Sequence, residues 1–523
     1  MRHAILVSVF ATACGGTSNS PPDTAIPDGP EADAEQISVG SDVTIDSGPI
    51  HGAVAGDLVT FKGIRYAEAA RWMPPVPPTP WTSPLQATAF APACPQANHP
   101  ALPQAEDCLT LNVWAHASGP RRPVIVWIHG GGYIEGSAQE IQYDATQLAH
   151  AADAIVVSID YRLGVLGFLA LPQLAAADGG IGNYGIRDQI AALEWVHRNI
   201  ARFGGDPAHV MIAGESAGGA AVCTLLGAPH AQGLFASAAI ESGPCSLVLA
   251  PTAPIGMFPA AEGFGVVAVA APLGCTSGDI AGCLRSKTVA QILALGLPFS
   301  WELALPIFGT LPVVDGVVLD QQPLAAIAGG RGAVPVIVGS NRDDASVFMY
   351  QIGVADTAGS FDAYLHTIGQ DANKAAIEAM YPVATLGERG AATTYATDIA
   401  FGCESWRVVA AHTTAPTYLY ELERPVPNGP LAMYQAVHGF DFVNLFGTFS
   451  AWGITPSAGD LATSADVQAQ WGALAHGRIP TGWPAATGTT PAFRKLDDPP
   501  TTGMTWRGGR CPQLAALGLL AGS

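Results

Sequence analysis

Apolar residues in this chain follow two rhythms. The first is the unbroken run, as in "PVIVWIHGGG" with Val124 to Ile128, and again in "AIVVSIDYR", "HVMIAGES", "ASAAIES", "VPVIVGS" and "TYLYELER". Short apolar runs rich in β-branched residues and closed by glycine or polar groups read as strands. None of them alternates with polar positions, so both faces of each strand are expected to be buried, as in a parallel sheet covered by helices on both sides. The second rhythm is helical. In "GIRDQIAALEWVHRNIARFGG", Ile186, Ile190, Leu193, Val196 and Ile200 recur at steps of three or four, and Gly204 is placed to stop the helix. The pattern therefore predicts an α/β fold with a mostly parallel central sheet. In such sheets, functional groups gather beyond the carboxyl ends of the strands. No internal repeat interrupts the scheme.

Composition sharpens this picture at its edges. A length of 523 residues would ordinarily suggest more than one domain. Hydrophobic residues make up 49% and charged ones 13%, which excludes extensive disorder beyond the ends. A formal net charge of -20 excludes a nucleic-acid partner, which needs a basic footprint, and points to a solvated acidic surface. At the N-terminus a short basic start precedes an apolar run from Ala4 to Ala13, too short to span a bilayer and suited to a signal-peptide core. The "ATAC" that ends at Cys14 resembles a bacterial lipoprotein cleavage site, with Ala11 where such sites usually carry leucine. Residues 1–14 are thus expected to be an export signal and 15–35 a flexible Gly/Ser/Pro/Asp-rich tether. Lipidation of Cys14 would anchor the protein at the bacterial outer membrane, periplasm or cell surface. Plain secretion is the alternative. No other segment reads as transmembrane. Of the nine cysteines, eight remain once Cys14 is set aside, which suits an exported, disulfide-bearing protein, but their spacing leaves the pairing open.

Candidate chemistry begins at "AGESAGGAA". Gly214-Glu215-Ser216-Ala217-Gly218 fits G-x-S-x-G between a strand and a helical stretch, the context a nucleophile elbow requires. Small residues flank the serine because the turn is strained and backbones pass closely there. A serine hydroxyl is a weak nucleophile and needs a base, together with donors for the oxyanion it creates. "HGGGY" at 129–133 follows a strand and offers backbone N–H groups with no side chain in the way. The expected oxyanion donors are Gly131, Gly132 and Ala217. Losing one such donor costs about 2.7–4 kcal/mol of transition-state stabilisation. The competing explanation for each motif is an ordinary glycine-rich turn after a buried strand.

Together with "EDCLTLNVW", "HGGGYIEGS", "DYRLGVLGFLAL" and "GNYGIRDQIAALEWVHRNIARFGGDPAHVMIAGESAGGAA", these motifs resemble the type-B carboxylesterase family. That family includes cholinesterases, bile-salt lipase and the bacterial para-nitrobenzyl esterases, which are nearest in style. The likeness runs from "FKGIRYAEAARWMPP" at 61–75 to "SADVQAQWGALAHGRIPTGWPAAT" near the C-terminus. It implies a single α/β-hydrolase domain over residues 36–520, overriding the length argument for several domains. It also implies a triad in the order serine, acid, histidine. His438 in "AVHGFDFVNLFG" matches the family's histidine motif, whereas His129 is expected to be structural. The acid falls in "GSNRDDAS", where the family has an Asp followed by a Glu. Register puts Asp344 at the glutamate position and Asp343 at a structural turn position. Aspartate is one methylene shorter than glutamate, so the loop must carry Asp344 closer to His438. Glu215 is expected either to tune site electrostatics or to serve as a structural hydrogen-bond acceptor.

The implied reaction uses no metal and no cofactor. Ser216 attacks an ester of a small molecule while His438 takes its proton, and water then cleaves the acyl-enzyme. The resemblance also suggests disulfides Cys94–Cys108, Cys275–Cys283 and Cys403–Cys511, leaves Cys223 and Cys245 free or paired, and matches Arg71 and Glu106 to a salt bridge. In "LPIFGTLPVVDG", Phe308 would narrow the acyl pocket while Gly309 and Thr310 keep it open, which predicts short- to medium-chain neutral esters. No tryptophan lies between Cys94 and Cys108 to bind a quaternary ammonium, which argues against cholinesterase activity. The same triad would serve a lipase or a hydrolase of amides or thioesters. A non-catalytic binding protein of the cholinesterase-like kind is the remaining alternative, but such proteins have typically lost the serine that is present here.

Overall fold

A computed structural model describes residues 36–99, 101–246, 250–251, 265–296, 299–300, 305–306, 311–489 and 491–520. Cys14, the 15–35 segment, Phe308, Gly309 and Thr310 lie outside the described residues. From Gln36 onward the chain packs as one unit.

Each apolar run becomes a strand of an 11-stranded sheet. In chain order its strands are β1 (Ala53–Ala55), β2 (Leu58–Arg65), β3 (Thr110–His116), β4 (Arg122–Ile128), β5 (Ile155–Ile159), β6 (Gly205–Glu215), β7 (Ser237–Glu241), β8 (Val336–Asn341), β9 (Thr417–Leu422), β10 (Phe493–Leu496) and β11 (Thr501–Gly503). Spatially they run β1-β2-β3-β5-β4-β6-β7-β8-β9-β10-β11. The block from β5 to β10 is parallel. β1, β2 and β3 extend one edge in antiparallel fashion, and β11 closes the other. The sheet is thus the α/β-hydrolase type with antiparallel margins. β2 is bulged between Phe61 and Ile64 around Gly63, which breaks its periodicity, and β10 and β11 are short. These edge strands give no continuous apolar run, which is why the hydrophobic pattern passes over them.

Both faces of the sheet are buried, as continuous apolar strands require. Alternate residues of β4 divide between two cores: Val124, Val126 and Ile128 on one face, Ile125 and Trp127 on the other. The helices that cover the faces include α1 (Thr146–Ala151), α2 (Tyr184–Asn199), α3 (Ala217–Gly227), α4 (Phe440–Phe446) and α5 (Ala458–Ala475). α2 buries Ile186, Ile190, Leu193 and Val196, the predicted apolar face, and passes through a 3-10 turn at Ile200–Phe203. Gly204 ends it with φ of 80°, a left-handed conformation that glycine adopts without steric cost. Val467, Trp471 and Leu474 of α5 fill the second core.

Four disulfides cross-link the described residues: Cys94–Cys108, Cys223–Cys245, Cys275–Cys283 and Cys403–Cys511. Cys223 and Cys245, which the sequence left unassigned, are therefore joined, linking α3 to the segment that follows β7. Arg71 and Glu106 pair at 2.5 Å beside the first bridge.

Candidate active site

β6 ends at Glu215 and α3 begins at Ala217, so Ser216 alone makes the turn between them. It does so at φ 56° and ψ -121°, a strained conformation for a residue with a side chain. The flanking glycines are dictated by contact. A Cβ on Gly218 would lie 2.0 Å from the Ile128 carbonyl oxygen, and one on Gly214 would lie 2.6 Å from the Gly218 backbone. Only a G-x-S-x-G sequence lets helix and strand approach this closely. The Ser216 N–H donates to the Glu241 carbonyl at 2.9 Å, which fixes the turn against β7.

Residues 129–133 follow β4 and pass in front of Ser216. Gly131 (φ 101°) and Gly132 (φ 60°) are both left-handed, and a Cβ on Gly131 would meet the Glu135 carbonyl at 2.2 Å. The Gly131 carbonyl accepts the N–H groups of Ile134 and Glu135, each at 3.0 Å, so the loop is held by its own backbone. His129 is buried, stacks on Tyr161 with centroids 4.5 Å apart, and sits with Nδ1 2.9 Å from the Gly130 carbonyl. Burial pushes its imidazole down to about 4, so it stays neutral and supports the loop.

The two aspartates after β8 separate cleanly. Asp344 is fully buried; its Oδ1 lies 2.6 Å from His438 Nδ1 and its Oδ2 accepts the Asn341 N–H at 2.9 Å. Asp343 instead pairs with Arg342 at 2.8 Å, and its backbone N–H donates to the Ala436 carbonyl at 3.1 Å. It therefore ties the turn to the loop that carries His438. The His438 ring is wedged between Phe401 and Phe348, with centroids at 4.8 and 5.3 Å.

Glu215 reaches the other side of the imidazole, with Oε1 3.2 Å from His438 Nε2. The Ser216 hydroxyl makes no hydrogen bond to His438 among the described residues, although both line the same cavity. Contacts of this kind commonly tighten only when substrate is bound. Burial works against charge on His438, yet the Glu215 and Asp344 carboxylates outweigh it and push the imidazole up to about 9. Burial, with Asp441 and Asp344 nearby, pushes Glu215 up to about 8, despite His438.

Two further acids behind the site were not singled out in the sequence. Asp441, in the first turn of α4, accepts the hydroxyls of Ser242 and Tyr420 at 2.8 Å each. Glu241, at the end of β7, accepts the Trp471 indole N–H at 2.8 Å. Burial raises both. The available signal was an acid within or at the end of a mostly apolar stretch, "FDFVNLF" and "SAAIE".

Ser216, His438, Glu215, Gly131, Gly132 and Ala217 all line one cavity of about 430 Å³. Its walls include Leu311, Phe348, Phe401, Phe442, Tyr133 and Trp452, with Glu135 and Glu140 also contributing. A half-buried serine lining the cavity at a strained turn, a carboxylate-held imidazole and a glycine loop around one apolar chamber can together attack and cleave a carbonyl compound.

The sequence pattern of the Carboxylesterase family matches residues 40–511. A para-nitrobenzyl esterase of Bacillus subtilis (strain 168) is 30% identical over 484 residues, covering 89% of this chain and 91% of that protein. A fumonisin B1 esterase of Sphingopyxis macrogoltabida is 31% identical over 462 residues, covering 83% and 81%. Among solved structures, a PNB esterase superposes with a TM-score of 0.74 at 29% identity, covering 88% of this chain and 97% of that one.

Proposed function

The chain belongs to the carboxylesterase family and is a serine hydrolase of carboxylic esters, and from that premise we propose that Ser216, His438 and Asp344 carry the reaction. The observation that bears most weight is the 2.6 Å contact between Asp344 and His438 beside a serine held at φ 56° in the same cavity. Ser216 Oγ attacks the ester carbonyl as His438 Nε2 takes its proton. Asp344 accepts from Nδ1–H, fixing the tautomer and stabilising the imidazolium. The N–H groups of Gly131, Gly132 and Ala217 hold the oxyanion. His438 then protonates the departing alcohol and activates the water that cleaves the acyl-enzyme.

The preferred substrates are short- to medium-chain neutral esters. A chamber of about 430 Å³ with mostly apolar walls suits a small ester, and Glu135 and Glu140 disfavour an anionic one. The relative named for para-nitrobenzyl esters supports an aromatic alcohol group as one acceptable portion. Disulfides among the described residues support export. Cys14 is the proposed lipidation site, and a palmitate label absent from the wild-type protein in a bacterial host would remove that assignment.

The deciding assay is hydrolysis of para-nitrophenyl esters of graded chain length alongside a para-nitrobenzyl ester. Ser216→Ala should abolish turnover and labelling by a fluorophosphonate while leaving the melting curve in place. Turnover that survives the substitution rejects the mechanism, and a rate that peaks with long-chain triglyceride rejects the substrate class.

A further inference from the structure

On the side of the sheet away from the nucleophile, three metal-ligating side chains converge. β3 runs antiparallel to β5, so its last residue, His116, lies at the amino-terminal ends of the parallel strands, opposite the ends that present Ser216 and Asp344. In the turn between β1 and β2, the Asp57 carbonyl accepts the Ala117 N–H at 2.8 Å, and Leu58 is the register partner of His116. Backbone bonds thus hold Asp57 and His116 side by side. His150, in the last turn of α1, closes the third side. Its Nε2 is 3.6 Å from Asp57 Oδ1, and its ring meets that of His116 edge-on at 5.8 Å. One nitrogen of each imidazole and one Asp57 oxygen lie within 4.8 Å of one another, the one such trio among the described residues.

We propose that Asp57, His116 and His150 form a surface site for a divalent transition-metal ion of the zinc type. Two imidazoles and a carboxylate are the donor set such ions favour. Ligands about 2.0–2.1 Å from a tetrahedral zinc stand roughly 3.4 Å apart, close to the spacing His150 and Asp57 already have. Both of these side chains are exposed and can rotate to complete the site. The Ala149 carbonyl, 3.1 Å from His116 Nε2, supplies the second contact that orients a ligating imidazole. Arg122, the cation near His116, is paired with Asp153 at 2.6 Å, so its charge is offset locally. The ion clamps the β1–β2 turn to α1 and takes no part in ester cleavage.

The test uses the full chain, stripped with a chelator, dialysed, and titrated with zinc chloride by calorimetry and with cobalt(II) by visible absorption. About one equivalent should bind, with the intense cobalt bands of a tetrahedral site, and zinc should raise the thermal midpoint. His150→Ala and, separately, Asp57→Asn should each weaken binding ~10-fold or more, leaving metal-free melting and ester hydrolysis unchanged. Absence of stoichiometric binding, or binding undiminished by both substitutions, overturns the proposal.

Discussion

Asp344 turns inward from the end of β8, with Oδ1 2.6 Å from His438 Nδ1 and Oδ2 receiving the Asn341 N–H, while Asp343 faces Arg342 and the backbone of Ala436. One orients the imidazole and the other staples two loops. Asp344→Asn should therefore lower kcat by on the order of 10⁴, by analogy with serine proteases, with little change in the melting curve. Asp343→Asn should keep kcat near that of the parent and lower the melting midpoint modestly. Parallel kinetics and melting of the two variants check this, and exchanged phenotypes would move the triad acid by one residue. Glu215 sets a second expectation. Its carboxylate lies 3.2 Å from His438 Nε2 and helps raise the imidazole to about 9, so the proposed base stays protonated to higher pH than usual. Glu215 and His438 titrate as a pair. In Glu215→Gln the imidazolium loses this neighbour, and the acidic limb of kcat/KM should move down by about one pH unit or more. A limb that stays in place would mean that Glu215 acts only as a structural acceptor.

At the level of elements, the proposed catalytic groups depend on pieces joined across long stretches of chain. Cys403 opens the helix Cys403–Ala411 and is bonded to Cys511 in the last helix, Arg510–Ala516, at a separation of 108 residues. Phe401, two positions before Cys403, packs on the His438 ring. In the chain-entropy account, closing a loop of this length stabilises the fold by up to about 4.7 kcal/mol. Replacing both cysteines with alanine should lower the denaturation midpoint markedly while kcat in native buffer changes only a few-fold. An unchanged midpoint, measured by urea titration, would show that buried contacts alone hold these helices. The same elements mark what could be read in advance. β4 to β9 were legible because burial on both faces leaves an unbroken apolar run, and α2 because one face repeats at helical spacing. The glycines around Ser216 were legible because close approach permits no other residue. The bulged β2, the short β10 and β11, and the Cys223–Cys245 pairing were not, since they follow from edge geometry and long-range proximity. Asp441 and Glu241 escaped for a related reason: nothing local shows that an acid will be sealed behind the site that holds His438.

Over the whole molecule, these buried acids make stability and activity respond to pH in opposite directions. Burial raises Glu215 to about 8 and Asp160 to about 7, and it raises Glu241, Asp441 and Glu404 as well. Each has a folded pKa above its unfolded one, so its contribution is complete below the ordinary carboxylate range. As pH rises through the folded values, the unfolded chain has already released protons that the folded protein retains, and stability falls. His438 acts in the same direction: its stabilisation is complete below the ordinary imidazole value of 6.5 and is lost as pH climbs through about 9. Asp178 and Asp320, held below their ordinary value by Arg187 and Arg331, act in the opposite sense but only under acid conditions. The formal charge of -20 adds self-repulsion that also grows with pH. The melting midpoint should therefore be highest at about pH 4, where the two windows meet, and decline toward pH 9. Under the proposed mechanism catalysis needs neutral His438, and activity should rise over much of that interval. Calorimetry at fixed ionic strength across the range, on the parent and on Glu215→Gln, separates the contributions. If buried carboxyl groups drive the decline, the Gln variant shows a shallower alkaline slope, and added salt does not abolish the remainder. A midpoint that is flat, or that rises toward pH 9, would mean these groups are ionised in the folded protein and that the imidazole works against a full set of buried charges.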